Sequence, residues 1–201
     1  SFFFPGQLFK TWISPSLVLL TLLTGYVILS VRKKTRLLFG ALFAIAFAIG
    51  LLQLFKVGQD IFALRIAQYF IFTAFFTLVT GRIIRQVWKA DQVDTKLIYG
   101  VMGGYISLGL VAFFMLLGIE FAEPGSFMGI DPASASISED LLYYTYITLM
   151  TIGYGDIAPA TPLARKAAVL IGLWGQFYLV IITALVVGKY LSSQPAQKKG
   201  R

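Results

Sequence analysis

The sequence of 201 residues contains no cysteine and no histidine. Without cysteine the chain has no disulfide framework, no thiolate zinc site and no thiol chemistry. Without histidine it lacks the commonest general base and the commonest metal ligand. These absences argue against most membrane hydrolases and metalloenzymes. We therefore expect no catalytic residue and no resident cofactor.

Charged residues are also scarce. Only 13% of the residues are charged, 58% are hydrophobic, and the mean hydropathy is +0.80. A soluble domain of this length needs more charge to cover its surface. The apolar stretches are long runs without strand-like alternation, which indicates an all-α integral membrane protein. The net charge of +8 does not indicate a nucleic-acid partner, because the basic residues collect at the ends of the apolar runs.

Five apolar segments are long enough to cross a bilayer core, which takes roughly 20 helical residues. They are residues 15–31, 37–55, 61–81, 97–119 and 163–191. An aromatic stretch before the first of them is predicted to lie at the membrane surface. A sixth apolar segment, residues 137–150, is too short to span and is typical of a re-entrant or buried helix.

The short segment carries a helix start signal. Ser136 followed by Glu139 fits a capping box, and Ser138 is an alternative cap. Glu139 and Asp140 would then lie in the first turn, where the helix dipole favours negative charge. Residues 118–138, rich in glycine, proline and serine and without periodicity, predict an irregular extracellular loop before this helix.

The basic residues predict the orientation of the chain. If five helices alternate, twelve basic residues lie on one side and only Lys10, Lys56, Arg165 and Lys166 on the other. This asymmetry predicts a cytoplasmic C-terminus and an extracellular or periplasmic position for the loop after residue 150. A further interpretation is contact with anionic lipid headgroups, for which the candidates are Arg32, Lys33, Lys34, Arg36, Arg82 and Arg85.

A motif with two glycines, TIGYGD, follows the short helix. Non-helical backbone at membrane depth is tolerated only where it lines a cavity or is buried in protein. Gly153 and Gly155 can adopt a left-handed backbone conformation without steric cost. Their alternation with Ile152 and Tyr154 suits a backbone whose carbonyls point the same way and replace the water around a cation. The alternative is a plain glycine turn between two membrane helices.

This motif resembles the filter of the tetrameric potassium-channel superfamily, a TVGYG loop repeated around one axis, with Ile152 in place of valine. The similarity covers about residues 97–191 and is greatest to the bacterial two-helix-pore branch. Residues 1–96 show no comparable resemblance, and their three spans are predicted from the apolar runs alone, as the cytoplasmic tail in residues 192–201 is from the basic residues. Residues 97–191 would form a pore domain of outer helix, turret, pore helix, filter and inner helix, and three identical subunits would complete a homotetramer.

The resemblance also implies residue roles. Potassium would bind the carbonyl oxygens of Thr151, Ile152, Gly153 and Tyr154 and the hydroxyl of Thr151. Gly155 would allow the turn at the outer mouth. Asp156 would lie behind the filter and bond aromatic groups of the pore helix.

Three positions behind the filter depart from the commoner family pattern. Tyr143 and Tyr144 stand where tryptophans are common, and Ile147 stands where some members have glutamate. On the inner helix, Gly175 matches the family hinge, with Gly172 as its neighbour, and Gln176 would face the cavity. Close helix packing at the glycines, and an interhelical hydrogen bond from Gln176, remain open alternatives.

The implied function is passive, potassium-selective conduction. The alternatives are a weakly selective monovalent cation channel and, in another class, a potassium transporter subunit. Strong voltage sensing is not expected, because steep gating uses about 3–4 mobile charges per subunit. Among the three N-terminal spans, only Arg65 lies inside one, near Asp60, while Arg82 and Arg85 lie at its boundary.

Overall fold

The computed structural model describes residues 62–90, 94–130 and 137–193, together with five isolated helical positions between residues 40 and 48. Several predicted features lie outside the described residues. These are the surface segment before residue 15, the span 15–31, nearly all of the span 37–55, the basic cluster 32–36, Asp60, the side chain of Arg65, the cap residue Ser136 and the tail after residue 193.

Four helices and two short strands make up the described part. They are α1 (Phe62–Lys89), α2 (Thr95–Ala122), β1 (Phe127–Met128), α3 (Ile137–Leu149), β2 (Ala158–Pro159) and α4 (Pro162–Ser193). The segments Ile66–Lys89, Leu97–Ala122 and Pro162–Ser192 are long and apolar enough to cross a membrane. The chain is therefore a helical, membrane-integral protein, as the composition predicts. It divides into two units, Ser1–Val79 and Thr80–Arg201.

Helix α1 is longer than its sequence predicts. The predicted span ended at Gly81, but the helix continues to Lys89. Ile83 and Val87, four residues apart, are both buried, so the apolar stripe of the helix continues beyond the glycine. The segment between the third and fourth predicted spans is therefore shorter than predicted, because Arg82 and Arg85 lie in the last turns of α1.

Helix α2 begins at a side-chain cap. Asp94 accepts a hydrogen bond from the backbone N–H of Leu97 at 2.8 Å, which satisfies one free donor of the first turn. The helix starts two residues before the predicted span and ends three residues after it, at Ala122. Within the second unit, the hydroxyls of Thr80 and Ser107 share a buried hydrogen bond of 2.8 Å between α1 and α2.

The loop before α3 is partly ordered by pairing with the chain after the glycine motif. Strand β1 pairs antiparallel with β2, with Phe127 opposite Pro159 and Met128 opposite Ala158. The carbonyl of Ser126 also accepts a hydrogen bond from Ala160 N–H at 2.8 Å. The expected irregular loop is therefore wrong at these positions, since a two-residue strand is too short to leave a periodic pattern.

Helix α3 ends one residue before the predicted limit and contacts both α2 and α4. Large apolar side chains that are fully buried in this core come from all three helices: Leu116, Leu141, Leu149 and Ile171. The packing of this short helix against α2 and α4 determines where the glycine motif begins.

Candidate functional site

The chain reverses at the C-terminal end of α3. Thr151 N–H bonds the carbonyl of Thr148 at 3.0 Å, which tightens the last turn. The carbonyl of Ile147 then accepts two N–H groups, from Ile152 at 2.8 Å and Gly153 at 3.3 Å. The start of the glycine motif is thus anchored by the main chain of α3, while the Ile147 side chain is buried.

The backbone alternates in handedness along the motif. The φ angles are +58° at Thr151, +57° at Gly153 and +82° at Gly155, whereas Ile152 and Tyr154 keep negative φ. The left-handed conformation predicted at the two glycines is present. Thr151 extends the alternation by one residue, which sequence reasoning missed, since a β-branched residue seldom adopts positive φ. Such a conformation costs of order 1–3 kcal/mol and persists only where its surroundings enforce it.

The carbonyls of this stretch are unpaired. Residues 151–156 are all exposed in the protomer. Within residues 62–90, 94–130 and 137–193, no donor bonds the carbonyl oxygens of Thr151, Ile152, Gly153 or Tyr154. The same ranges contain no group of three or more acidic side chains able to hold a metal ion. The carbonyl oxygens of residues 151–154 and the Thr151 hydroxyl are therefore open to a cation at this site.

The predicted contact behind the motif is present for one of the two tyrosines. The Tyr143 hydroxyl donates to Oδ2 of Asp156 at 2.8 Å. This hydrogen bond, followed by partial desolvation and the charge of Asp156, raises the pKa of the Tyr143 hydroxyl. The hydroxyl, which lies outside the three spanning helices, therefore keeps its proton at neutral pH. Tyr144 instead is buried, with its ring 5.3 Å from that of Phe127.

A second contact behind the motif involves the loop at β1. Gly129 has a φ of +86°, and a Cβ atom there would lie 2.1 Å from the carbonyl oxygen of Asp156. Only glycine allows the loop to approach the chain so closely. Together with the ladder between β1 and β2, this contact links the segment after α2 to the outer end of the motif. A glycine within a predicted loop was its only trace in the sequence.

Three tyrosine hydroxyls connect the helices around α3, and sequence reasoning assigned none of them. Tyr146 donates to the carbonyl of Ile106 at 3.0 Å, and Tyr178 donates to that of Val101 at 2.6 Å. Tyr105 donates to the carbonyl of Leu149 at 3.4 Å. Each joins residues more than 35 positions apart. The sequence feature that could have indicated these bonds is a tyrosine inside an otherwise apolar helix, because a buried tyrosine hydroxyl usually forms a hydrogen bond.

The candidate hinge glycines differ in their surroundings. A Cβ atom at Gly175 would lie 1.9 Å from the carbonyl oxygen of Leu149, whereas one at Gly172 meets nothing within 4 Å. Gly175 therefore allows α4 to pack closely on the end of α3. The helix is continuous through both positions. Gln176 is exposed in the protomer, and its cavity role stays a prediction.

A buried acid near the outer end of α2 was also missed. Glu120 is only 4% exposed, and its Oε1 accepts a hydrogen bond from Gly125 N–H at 2.9 Å. Its Oε2 has no hydrogen-bond partner in the part of the chain that the structure describes. Glu120 thus holds the start of the loop that leads to β1.

Comparisons with known proteins find similarity to ion channels over part of the chain. A family model described as an ion channel matches residues 126–192. A voltage-gated potassium channel of Aeropyrum pernix is 28% identical over 97 residues, which is 48% of this chain and 30% of that protein. Two pore potassium channel c of Oryza sativa subsp. japonica is 35% identical over 83 residues, 40% of this chain and 18% of that protein. Two-pore potassium channel 5 of Arabidopsis thaliana is 46% identical over 55 residues, 27% of this chain and 14% of that protein.

These similarities support the potassium channel superfamily. They agree with the apolar helices in indicating a membrane-integral protein similar to ion channels. The chain spans less than a third of the length of each of these relatives. No solved structure matches it significantly. Assignment to the bacterial two-helix-pore branch, with three additional N-terminal spans, stays a prediction.

Proposed function

We propose that the protein conducts potassium ions passively and selectively through a filter formed by residues 151–155. The observation that carries this proposal is the alternating backbone with its exposed, unpaired carbonyl oxygens. Carbonyl oxygens that replace the hydration shell of an ion are how known potassium filters select it. The Thr151 hydroxyl would add a ligand at the inner end.

The filter requires four chains. A single strand of carbonyls faces an ion from one side only, and the chain contains one copy of the motif. A closed ring of four identical subunits surrounds the ion with the same groups from every side. The exposed side chains of Ile152 and Tyr154, 47% and 71% exposed in the protomer, would then pack against neighbouring subunits.

The proposed orientation follows the positive-inside rule. The inner end of α4 would be cytoplasmic and the mouth of the filter at Gly155 and Asp156 would face outward. Helix α3 would aim its partly negative C-terminal end at the ion path and help to hold a cation there. Arg82 and Arg85, beside the half-exposed Trp88 at the end of α1, are the described candidates for contact with anionic headgroups.

We further propose that voltage sensing is weak. One charge that crosses the whole field contributes about 2.3 kcal/mol per 100 mV, and steep gating uses about 3–4 such charges per subunit. The basic residues of α1 lie in its first turn (Arg65) or its last turns (Arg82, Arg85 and Lys89), and little of the field would fall at either end. Recordings from the purified protein should therefore show little charge movement when the voltage is changed. Charge movement that depends steeply on voltage would contradict this proposal.

The experiment that tests the proposed function is a flux assay in liposomes that contain the purified protein. Potassium should leave loaded vesicles rapidly, while sodium should leave far more slowly. Gly153→Ala should abolish selective flux, because alanine at a φ of +57° costs roughly 1–2 kcal/mol in each of the four subunits. Gly103→Ala is the matched control, since Gly103 lies within α2 and a Cβ there meets nothing within 4 Å.

Equal potassium and sodium flux in the unmodified protein would support a weakly selective cation channel instead. Saturating flux at transporter-like rates without single-channel steps would support a transporter. Either result would overturn the proposal.

A further inference from the structure

One lysine near the end of α4 makes three hydrogen bonds to another helix. Lys189 lies four residues before the end of α4 at Ser193. Its Nζ donates to the carbonyl oxygens of Val87 at 2.9 Å and Trp88 at 2.8 Å, and to that of Ala90. All these residues belong to the unit Thr80–Arg201.

The three acceptors are the kind of group that a helix end leaves free. The last carbonyls of a helix have no partner within it and carry the negative end of the dipole. An ammonium group has three N–H donors and no acceptor, so Lys189 uses all of its donors on the C-terminal end of α1. Hydrogen bonds from a charged donor are about twice as strong as neutral ones.

This contact lies where apolar packing of α4 is weakest. No residue of α4 between Ile182 and Ser192 is buried in the protomer. Val187 and Leu191 are half or more exposed, and Leu185 and Val186 are only partly buried. The position of this end of α4 therefore depends on polar contacts, and Lys189 supplies three of them.

We propose that Lys189 is a latch that fixes the inner end of α4 to the C-terminal turn of α1 and so sets the open–closed equilibrium of the pore. It is a positioning residue, since it acts through the helix and does not touch the ion path. The gating half of this inference rests on the proposed function. The structural half, that Lys189 restrains α4, does not. An event that moves α1, or an anion that competes for the ammonium, would release the latch.

Two variants and a matched control test the gating half in single-channel recordings. Lys189→Met should change the open probability by at least about tenfold, since it removes several hydrogen bonds to a charged group. Lys189→Arg should have an open probability close to that of the unmodified protein, because a guanidinium group also donates to several acceptors. Lys166→Met, an exposed lysine in the first turns of the same helix, should change nothing. Unitary conductance and ion selectivity should be the same in all variants.

Spin labels test the structural half without any current. The chain lacks cysteine, so Leu191→Cys provides a single labelled site at the inner end of α4 and Leu163→Cys a control site at the outer end. Lys189→Met should raise the mobility of the label at residue 191 and leave that at residue 163 unchanged.

If Lys189→Met leaves the mobility of the label at residue 191 unchanged, Lys189 does not restrain the end of α4 and the latch is overturned. Increased mobility with an unchanged open probability would overturn its gating role. If the unmodified protein passes no potassium current, the proposed function fails and the gating role fails with it, while the mobility measurement still decides whether Lys189 restrains the helix.

Discussion

The two ends of α4 are held in different ways. Residues 162–182 pack on α3 and α2 with a regular series of buried side chains: Ala164, Ala167, Ile171, Tyr178 and Ile182. From residue 183 to residue 192 the helix has no buried residue in the protomer, and Lys189 bonds the carbonyls at the end of α1. Close packing has few alternative arrangements, whereas hydrogen bonds at an exposed end can be exchanged for water. We infer that residues 162–182 support the glycine motif and that the end of the helix beyond Ile182 is the part able to move.

Among mutations in residues 162–182, Gly175→Ala is expected to have the largest effect on stability. A Cβ atom would lie 1.9 Å from the carbonyl oxygen of Leu149, so α4 must move away from the end of α3. We expect the free energy of unfolding to fall by about 3 kcal/mol, as for severe overpacking. Thermal unfolding in detergent measures this, and the Tm should fall by several degrees.

The matched control is Gly172→Ala, three residues earlier on the same helix. Its Cβ meets nothing within 4 Å, so a change of at most about 1 kcal/mol, in the stabilising direction, is expected from helix propensity. If Gly172→Ala lowers the stability more than Gly175→Ala, then bending at residue 172 matters more than packing at residue 175. That result would contradict the view that residues 162–182 are held by close packing.

The next effect concerns the loop that contacts the outer end of the filter. Gly129→Ala brings a Cβ atom to 2.1 Å from the carbonyl oxygen of Asp156, at a φ of +86°. Gly125→Ala has nearly the same φ, +85°, but meets nothing within 4 Å. The two variants therefore share the backbone strain and differ in the contact alone. We expect Gly129→Ala to lower the free energy of unfolding by about 2 kcal/mol more than Gly125→Ala.

Equal losses in these two variants would contradict a role for the contact with Asp156. A larger loss in Gly129→Ala, accompanied by faster decay of the current at constant driving force, would show that the loop supports the filter from outside.

The smallest expected effect is that of Tyr143→Phe, which removes the hydroxyl bonded to Asp156 at 2.8 Å. We expect a severalfold faster decay of current during sustained conduction, with unitary conductance unchanged. Tyr99→Phe, at an exposed tyrosine of α2, is the control and should behave like the unmodified protein. If the current of Tyr143→Phe is as stable as that of the unmodified protein, this hydrogen bond does not stabilise the conducting state.

The pH dependence of the same hydrogen bond has a definite sign. Because the pKa of Tyr143 is raised above its ordinary value of 10.0, the stabilisation is present below that value and is lost as the pH rises through the raised pKa. The rate of current decay should therefore be constant between neutral pH and about pH 9. It should increase only in strongly alkaline solution, and Tyr143→Phe should lack that increase.

Much of this fold follows from local sequence patterns. The limits of α3 and α4 agree with prediction to within two residues, because an apolar run and its flanking turn residues determine them. The left-handed backbone at Gly153 and Gly155 was predicted from residue type and spacing. Positive φ at Thr151 was not, since it depends on the bonds from Ile152 and Gly153 to the carbonyl of Ile147.

The contacts that the sequence did not reveal join distant residues. Tyr105 and Leu149 are 44 positions apart, and Lys189 and Val87 are 102 apart. Tertiary hydrogen bonds of this kind leave no periodic signal in either segment. The end of α1 was mispredicted for a related reason, because a basic run was read as a loop although the buried pair Ile83 and Val87 continues the helix.

The most direct test of the central claim is the reversal potential of single channels with potassium on one side of a bilayer and sodium on the other. If the carbonyl oxygens of residues 151–154 replace the water around potassium, the reversal potential should lie far toward the potassium equilibrium potential, and Gly153→Ala should abolish the selective current. A reversal potential near zero in the unmodified protein would contradict the account, because the alternating backbone would then conduct without selecting.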